Sequence, residues 1–241
     1  GYYVDVPGSD FVVLFSHDCN GNMFHRFELM RHFIDLGVSV MAVDFRGFGL
    51  SDEVEISDEA FHKDMEKIFS ATRRKKWSSS RIIIYGQGIS VGIQGELVKK
   101  NQCALWVMDN PIPSLSDSTD SAIGKFLTVD RLTVFPALEE GKTPVLICYD
   151  ENLVSEATIG NLQEKCPDCV VLKVKGGRTR GSFDDSDWAL WKTSIQETLS
   201  TLNVPSKAGQ TGPVRVPPQK GEGDKIEPES KDEPGQEEAS E

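Results

Sequence analysis

The sequence has no long apolar run and comparatively few basic residues. No stretch approaches the ~20 consecutive apolar residues of a membrane-spanning helix, so membrane association is not visible in this chain. Lys and Arg number 26 against 38 Asp and Glu, for a formal net charge of −12. This acidity argues against nucleic acid as a partner, because a phosphate backbone carries the same sign of charge. The 241 residues suffice for one domain of ordinary size.

Cysteines are few and odd in number, and five scattered thiols do not form a secreted disulfide framework. The absence of a disulfide framework favours a location on the cytoplasmic side, but the compartment is unknown. The chain begins with Gly1 rather than methionine, so a targeting segment or anchor upstream stays open. Cys166 and Cys169 form a C-x-x-C motif, which is compatible with either a redox pair or half of a zinc site. Because the pair precedes a strand-like run, ordinary thiols in a turn are favoured, and neither a metal nor a cofactor is expected.

Apolar runs alternate with segments of helical spacing through most of the chain. The runs at 11–15, 38–45, 82–85, 104–108, 144–149 and 169–174 predict buried strands. The segments 24–36, 57–76, 155–165 and 184–202 predict helices. Strands and helices in this alternation predict an α/β fold, a doubly wound and mainly parallel sheet with helices on both faces.

The composition changes after position 203. Residues 204–241 are rich in proline, glycine, lysine and glutamate and contain no aromatic residue. Such a segment buries too little apolar surface to offset its ordering entropy. We therefore expect one α/β domain over residues 1–203 and a disordered acidic tail over 204–241.

The segment R-I-I-I-Y-G-Q-G-I-S-V-G-I-Q-G at 81–95 joins a β-branched strand, a glycine-rich turn and a helix-compatible run. This is the pattern of the nucleophile elbow G-x-S-x-G. When the strand runs directly into the motif, the elbow is 86–90 and Gly88 takes the nucleophile position. A frame shifted by two residues, 88–92, matches formally with Ser90 as nucleophile but needs extra residues in a tight turn. The first frame is favoured.

Four blocks in order resemble the α/β-hydrolase superfamily, and within it the BEM46-like serine hydrolases. They are H-x-x-x-G-N-x-x-H-R at 17–26, V-D-F-R-G-F-G-L-S-D at 43–52, the elbow, and D-N-P-I-P-S-L at 109–115. The resemblance covers about 11–203 and implies that the first strands of the fold lie mostly before Gly1. It also implies a serine, carboxylate and histidine triad in that chain order.

This sequence departs from the implied triad at every member. Gly88 stands at the nucleophile position. Asn152 matches the acid position, with Asp150 as the alternative acid after a small slip. Arg178 or Thr179 stands where the histidine belongs. The triad is therefore degenerate.

Histidine is also absent from the part of the chain where the triad requires it. The four histidines are His17, His25, His32 and His62, and none follows the elbow. Ser90 would therefore lack its usual base. The resemblance assigns His17, Asp18 and Gln87 to the oxyanion loop and pocket, and Asp18 replaces a glycine of the family pattern. A carboxylate there disfavours a developing oxyanion.

The leading interpretation is a pseudoenzyme, a non-catalytic α/β-hydrolase-fold protein that binds an unknown protein or a small apolar or ester-like ligand. The alternative is a serine hydrolase of the esterase, lipase or thioesterase type, acting through Ser90 with an unconventional base. A redox or metal role of Cys166 and Cys169 is a third, weaker hypothesis.

Overall fold

A computed structural model of the chain describes residues 1–54, 56–113, 133–174 and 185–202. It contains one seven-stranded sheet. The strands are β1 (Tyr2–Val4), β2 (Val12–Ser16), β3 (Ser39–Val43), β4 (Ile82–Gln87), β5 (Leu105–Asp109), β6 (Val145–Tyr149) and β7 (Val170–Lys173). Their spatial order is β1-β3-β2-β4-β5-β6-β7, with every neighbouring pair parallel except β1 and β3.

Helices connect the parallel strands. They are α1 (Phe27–Asp35), α2 (Asp58–Lys75), α3 (Ser90–Lys100), α4 (Phe135–Glu140), α5 (Glu156–Lys165) and α6 (Asp185–Thr201). Two short 3-10 helices, Met23–Arg26 and Ser79–Arg81, precede α1 and β4. The helix α2 begins as the sequence predicts, because the Ser57 hydroxyl accepts a hydrogen bond from the Ala60 N–H, 3.3 Å away. Ser155 caps α5 in the same manner.

The core is divided between the two faces of the sheet. Successive residues of β2 and β4 alternate between the faces, so Leu14 and Ile84 join one cluster while Val13 and Ile83 join the other. The first cluster packs under α2, α3, α4 and α5, and the second under α1 and α6. Both faces of β2 and β4 are buried. This arrangement confirms the predicted doubly wound α/β fold with helices on both faces.

The strand β1 is not predicted from the sequence. Tyr2, Tyr3 and Val4 are too few to show a period of two, and they are recognisable as a strand only through antiparallel pairing with residues 40–42 of β3. The predicted tail, 204–241, lies outside the described residues, as does the loop at 176–181. No helix among the described residues has both the length and the hydropathy needed to cross a membrane.

Candidate functional site

The turn between β4 and α3 places Gly88 at its apex. Gly88 has φ +58°, in the left-handed region that favours glycine. Its N–H donates to the carbonyl of Asp109 over 2.9 Å, and its own carbonyl accepts from the N–H of Ile112 over 3.2 Å. Both backbone polar groups of Gly88 are therefore hydrogen-bonded to the end of β5 or to the segment that follows it. The residue that projects from the sheet edge at this point has no side chain.

The space above Gly88 is occupied by Asp18, from the loop after β2. A Cβ placed on Gly88 would lie 2.7 Å from Asp18 Cγ, closer than real Cβ contacts allow. The Asp18 Oδ1 accepts a hydrogen bond from the Cys19 N–H over 2.7 Å, which holds the carboxylate in this orientation. A negatively charged group thus stands where a nucleophile side chain would stand.

Ser90 is the first residue of α3 and is completely buried. Its Oγ accepts a hydrogen bond from the Gln87 N–H over 2.8 Å. The hydroxyl also lies 2.9 Å from Gln87 O and 3.2 Å from Ser16 O. The serine therefore closes the first turn of the helix and contacts backbone groups on the inner side of the elbow.

Arg26 and Gln87 form the polar floor beside Gly88. The Arg26 side chain is almost fully buried, and its Nε donates to Gln87 Oε1. The Gln87 Nε2 donates in turn to Asp109 Oδ2 over 3.3 Å, and Tyr85 donates its hydroxyl to the same oxygen. The Gln87 amide thus bridges a buried cation and a buried anion. Because a buried charge is expensive unless it is hydrogen-bonded, this chain of contacts stabilises both.

His17 lies behind the site, buried between the loops that follow β2 and β3. Its Nδ1 lies 2.6 Å from Asp18 O, which assigns the proton to Nδ1, and its Nε2 accepts from the Phe45 N–H over 3.4 Å. Burial lowers the pKa of His17, against the opposing effects of the Asp18 carbonyl and the Asp44 carboxylate. Both ring nitrogens are thus engaged with the loops rather than with the space above Gly88.

The acid position lies after β6. Asp150 is buried, and its Oδ1 accepts hydrogen bonds from the N–H and the side-chain amide of Asn152, over 2.9 and 2.8 Å. The Asp150 N–H donates to Asn110 Oδ1 over 2.7 Å. Asn152 is exposed. The Asp150 carboxylate therefore organises the turn after its own strand. Arg178 and Thr179, at the predicted histidine position, lie outside the described residues.

A cleft of about 360 Å³ opens beside Gly88. Asp18, Arg26 and Gln87 form its polar side. Ile112, Leu153 and Val154, from the segments that follow β5 and β6, contribute apolar surface. A volume of this size suits a small organic molecule, and a mixed apolar and polar lining is typical of ligand sites. The structure thus brings Asp18, Gln87 and Gly88 to one cleft.

Sequence reasoning missed Arg26 and Asn110. Both stand inside blocks that carry the family resemblance, which was the available signal, but an arginine at a helix start resembles a solvated surface charge. Asn110 has φ +45°, a conformation that turns its side chain toward the Asp150 N–H. Within the described ranges, no group of three or more His, Cys, Asp or Glu side chains is placed to hold a metal.

The chain therefore has the α/β-hydrolase fold, as its sheet order and its elbow between β4 and α3 indicate. It is similar to the alpha/beta hydrolase domain-containing protein 17C of Xenopus tropicalis, with 28% identity over 171 residues. That alignment covers 68% of this chain and 54% of the relative. The human protein of the same name is 26% identical, over 68% of this chain and 51% of that protein. The chain spans about half the length of these curated relatives.

Solved structures show the same fold. An alpha-beta hydrolase from Vibrio vulnificus superposes with a TM-score of 0.66 and 21% identity, covering 82% of this chain and 76% of that chain. An esterase from Pyrococcus furiosus gives a TM-score of 0.61 and 18% identity, covering 82% and 85%. No protein-family model matches the chain.

Proposed function

We propose that this chain is a pseudoenzyme of the α/β-hydrolase superfamily, which binds a small apolar or ester-like ligand in the cleft beside Gly88. The observation that carries the proposal is the pairing of Gly88 with Asp18. The apex has no nucleophile, and a carboxylate takes the space that one would need. Acyl transfer requires both an attacking side chain and stabilisation of negative charge on the substrate oxygen. An anion at this point opposes the second requirement by like charge.

The histidines support the same conclusion. No histidine follows His62 in the chain. His17 uses both ring nitrogens on the adjacent loops. His25 Nδ1 accepts from the Asn22 N–H, and His32 stacks on Trp188 with 3.5 Å between ring centroids. A serine hydroxyl needs a base within hydrogen-bond reach, and these contacts engage His17, His25 and His32 elsewhere.

Two measurements test catalysis. Purified protein is incubated with a fluorophosphonate probe and, separately, with short-chain p-nitrophenyl esters, in parallel with Ser90→Ala. We expect no stoichiometric labelling and equal ester turnover in both proteins. Mapping any label by mass spectrometry keeps the test valid even if Ser90→Ala folds poorly. Stoichiometric label on Ser90 would overturn the proposal in favour of the serine hydrolase alternative, which the name of the similar esterase from Pyrococcus furiosus suggests.

A matched pair of variants tests the binding role. Leu153 lines the cleft and is 51% exposed, while Leu190 on α6 is 45% exposed and lies away from it. Leu153→Asp should weaken binding of a fluorescent fatty-acid ester roughly tenfold, because it places a charge against the apolar wall. Leu190→Asp should leave the affinity unchanged. If the wild type binds no apolar ester, or if both variants bind equally well, the small-ligand proposal fails.

A further inference from the structure

The two thiols of the C-x-x-C motif are brought together by a turn. Cys166 ends α5, and its N–H donates to the carbonyls of Leu162 and Gln163, over 3.0 and 3.2 Å. The Cys169 N–H then donates to the Cys166 carbonyl over 3.1 Å. This is the first-to-fourth hydrogen bond of a β-turn, which holds the two Cα atoms within about 7 Å. A disulfide bridges Cα atoms about 4.4–6.8 Å apart, so the turn suits closure.

The two side chains also influence each other. Interaction with the Cys169 side chain lowers the pKa of Cys166 to about 7, against the raising effects of burial and of Asp168. Interaction with Cys166 and burial raise the pKa of Cys169 far above its usual range. Both sulfurs are half-buried against the core, while Pro167 and Asp168 between them are exposed. One thiol is thus prepared as a nucleophile and the other retains its proton.

The other three cysteines contrast with this pair. Burial raises the pKa of Cys103 to about 12, and burial and Asp18 raise that of Cys19 to about 12. Cys148 is completely buried in β6. Since the thiolate is the reactive form, none of these three thiols competes with Cys166 at neutral pH.

We propose that Cys166 and Cys169 are a thiol–disulfide exchange site that reacts with low-molecular-weight disulfides such as oxidised glutathione. The Cys166 thiolate attacks one glutathione sulfur, forms a mixed disulfide and releases one glutathione thiolate. The Cys169 thiol then loses its proton to solvent and attacks the Cys166 sulfur, which displaces the second glutathione thiolate. One glutathione disulfide is reduced to two thiols while the protein dithiol is oxidised to one disulfide.

The test uses the full chain, reduced with dithiothreitol and then incubated with oxidised glutathione at pH 7.5. Peptide mass spectrometry after alkylation of the remaining thiols should show loss of two hydrogens in the peptide spanning 166–169, reversed by dithiothreitol. Cys169→Ser should stop at a glutathione adduct on Cys166. Cys166→Ser has no second thiol with which to close the disulfide, so any glutathione adduct on Cys169 should persist. Cys103→Ala, which removes a buried thiol elsewhere, should oxidise as the wild type does.

Each outcome decides the proposal. If Cys166 and Cys169 stay reduced in excess oxidised glutathione, or if the native chain stops at the mixed disulfide, the proposed exchange reaction is wrong. Oxidation of Cys103 or Cys19 as fast as the 166–169 pair would also overturn it, because the pair would then have no distinct reactivity. Circular dichroism of each variant, compared with the wild type, excludes unfolding as the cause of altered reactivity.

Discussion

The Asp18 carboxylate and Gly88 share one volume: a Cβ on Gly88 would lie 2.7 Å from Asp18 Cγ. Two separate constraints therefore favour glycine at the apex. The first is the backbone, because φ +58° is strained for any residue with a Cβ. The second is space, because the carboxylate is held in place by the Cys19 N–H. The apex of the elbow therefore carries no side chain, and a carboxylate from a neighbouring loop fills the space above it.

The two constraints can be separated by Gly88→Ala and Gly37→Ala. Gly37 has φ +77° with no atom within 4 Å of an added Cβ, so alanine there introduces backbone strain alone. We expect Gly37→Ala to lower the free energy of unfolding by about 1 kcal/mol and Gly88→Ala by about 3 kcal/mol. Urea denaturation of the two variants measures the difference.

A double-mutant cycle with Asp18→Ala completes this test. In the Asp18→Ala background, the effect of Gly88→Ala should shrink toward that of Gly37→Ala, because only the backbone strain remains. The effect of Gly37→Ala should not change. Additive behaviour of Gly88→Ala and Asp18→Ala would show that the carboxylate moves aside at no cost, contrary to the shared-volume argument.

The elbow and the contents of its pocket differ in how far sequence predicts them. A strand, a glycine turn and a helix are local features, so the elbow at 81–95 could be predicted from its local residue pattern. The approach of Asp18 to Gly88 joins residues far apart in sequence, and it depends on how β2 and β4 pair. The bridge from Arg26 to Asp109 depends on tertiary packing in the same way. The sequence therefore predicts the elbow and assigns Asp18 and Gln87 to its pocket, but it does not predict that Asp18 lies against Gly88 or that Arg26 bonds Gln87.

The hydrogen bonds of Gln87 to Arg26 and Asp109 predict that its substitution lowers stability more than substitution of another buried glutamine does. Gln94 is also fully buried, and its amide bonds the Tyr85 carbonyl and the Trp106 indole, both uncharged. Gln87→Met removes hydrogen bonds from a buried guanidinium and a buried carboxylate, which should cost on the order of 3 kcal/mol of stability. Gln94→Met removes bonds between neutral groups and should cost about 1–2 kcal/mol. Chemical denaturation of both variants measures the comparison, and equal losses would contradict a role for the bridge in holding the two charges.

The lowered pKa of His17 predicts a loss of stability in mild acid. The unfolded chain binds a proton near the ordinary value of 6.5, whereas the folded imidazole, desolvated between Asp44, Asp18 and Arg26, resists protonation. The contribution of His17 to the free energy of unfolding is therefore fully present well above pH 6.5. It falls as the pH drops through 6.5, by at most about 1.4 kcal/mol per pH unit for one group. The measurement is the free energy of unfolding between pH 7.5 and 5.5.

Histidine variants show which imidazole causes the change of the free energy of unfolding with pH. Burial lowers the pKa of His32 as well, so it contributes with the same sign. His17→Gln should reduce the slope, His32→Gln should reduce it less because that ring is only half-buried, and the double variant should have the flattest profile. A slope unchanged by His17→Gln would show that this imidazole titrates alike in the folded and unfolded chain.

The final prediction concerns the recovery of catalysis. Gly88→Ser supplies a hydroxyl at the apex, but Asp18 crowds it and no histidine follows it, so ester turnover should stay at the wild-type level. Asp18→Gly added to Gly88→Ser removes the crowding and the opposing charge, and should still give no turnover without a base. Arg178→His and Asn152→Asp, added to that pair, supply the missing family positions and should produce measurable p-nitrophenyl acetate hydrolysis. Fast turnover by Gly88→Ser alone would reveal a base already in place, and the protein would then be one substitution from an enzyme.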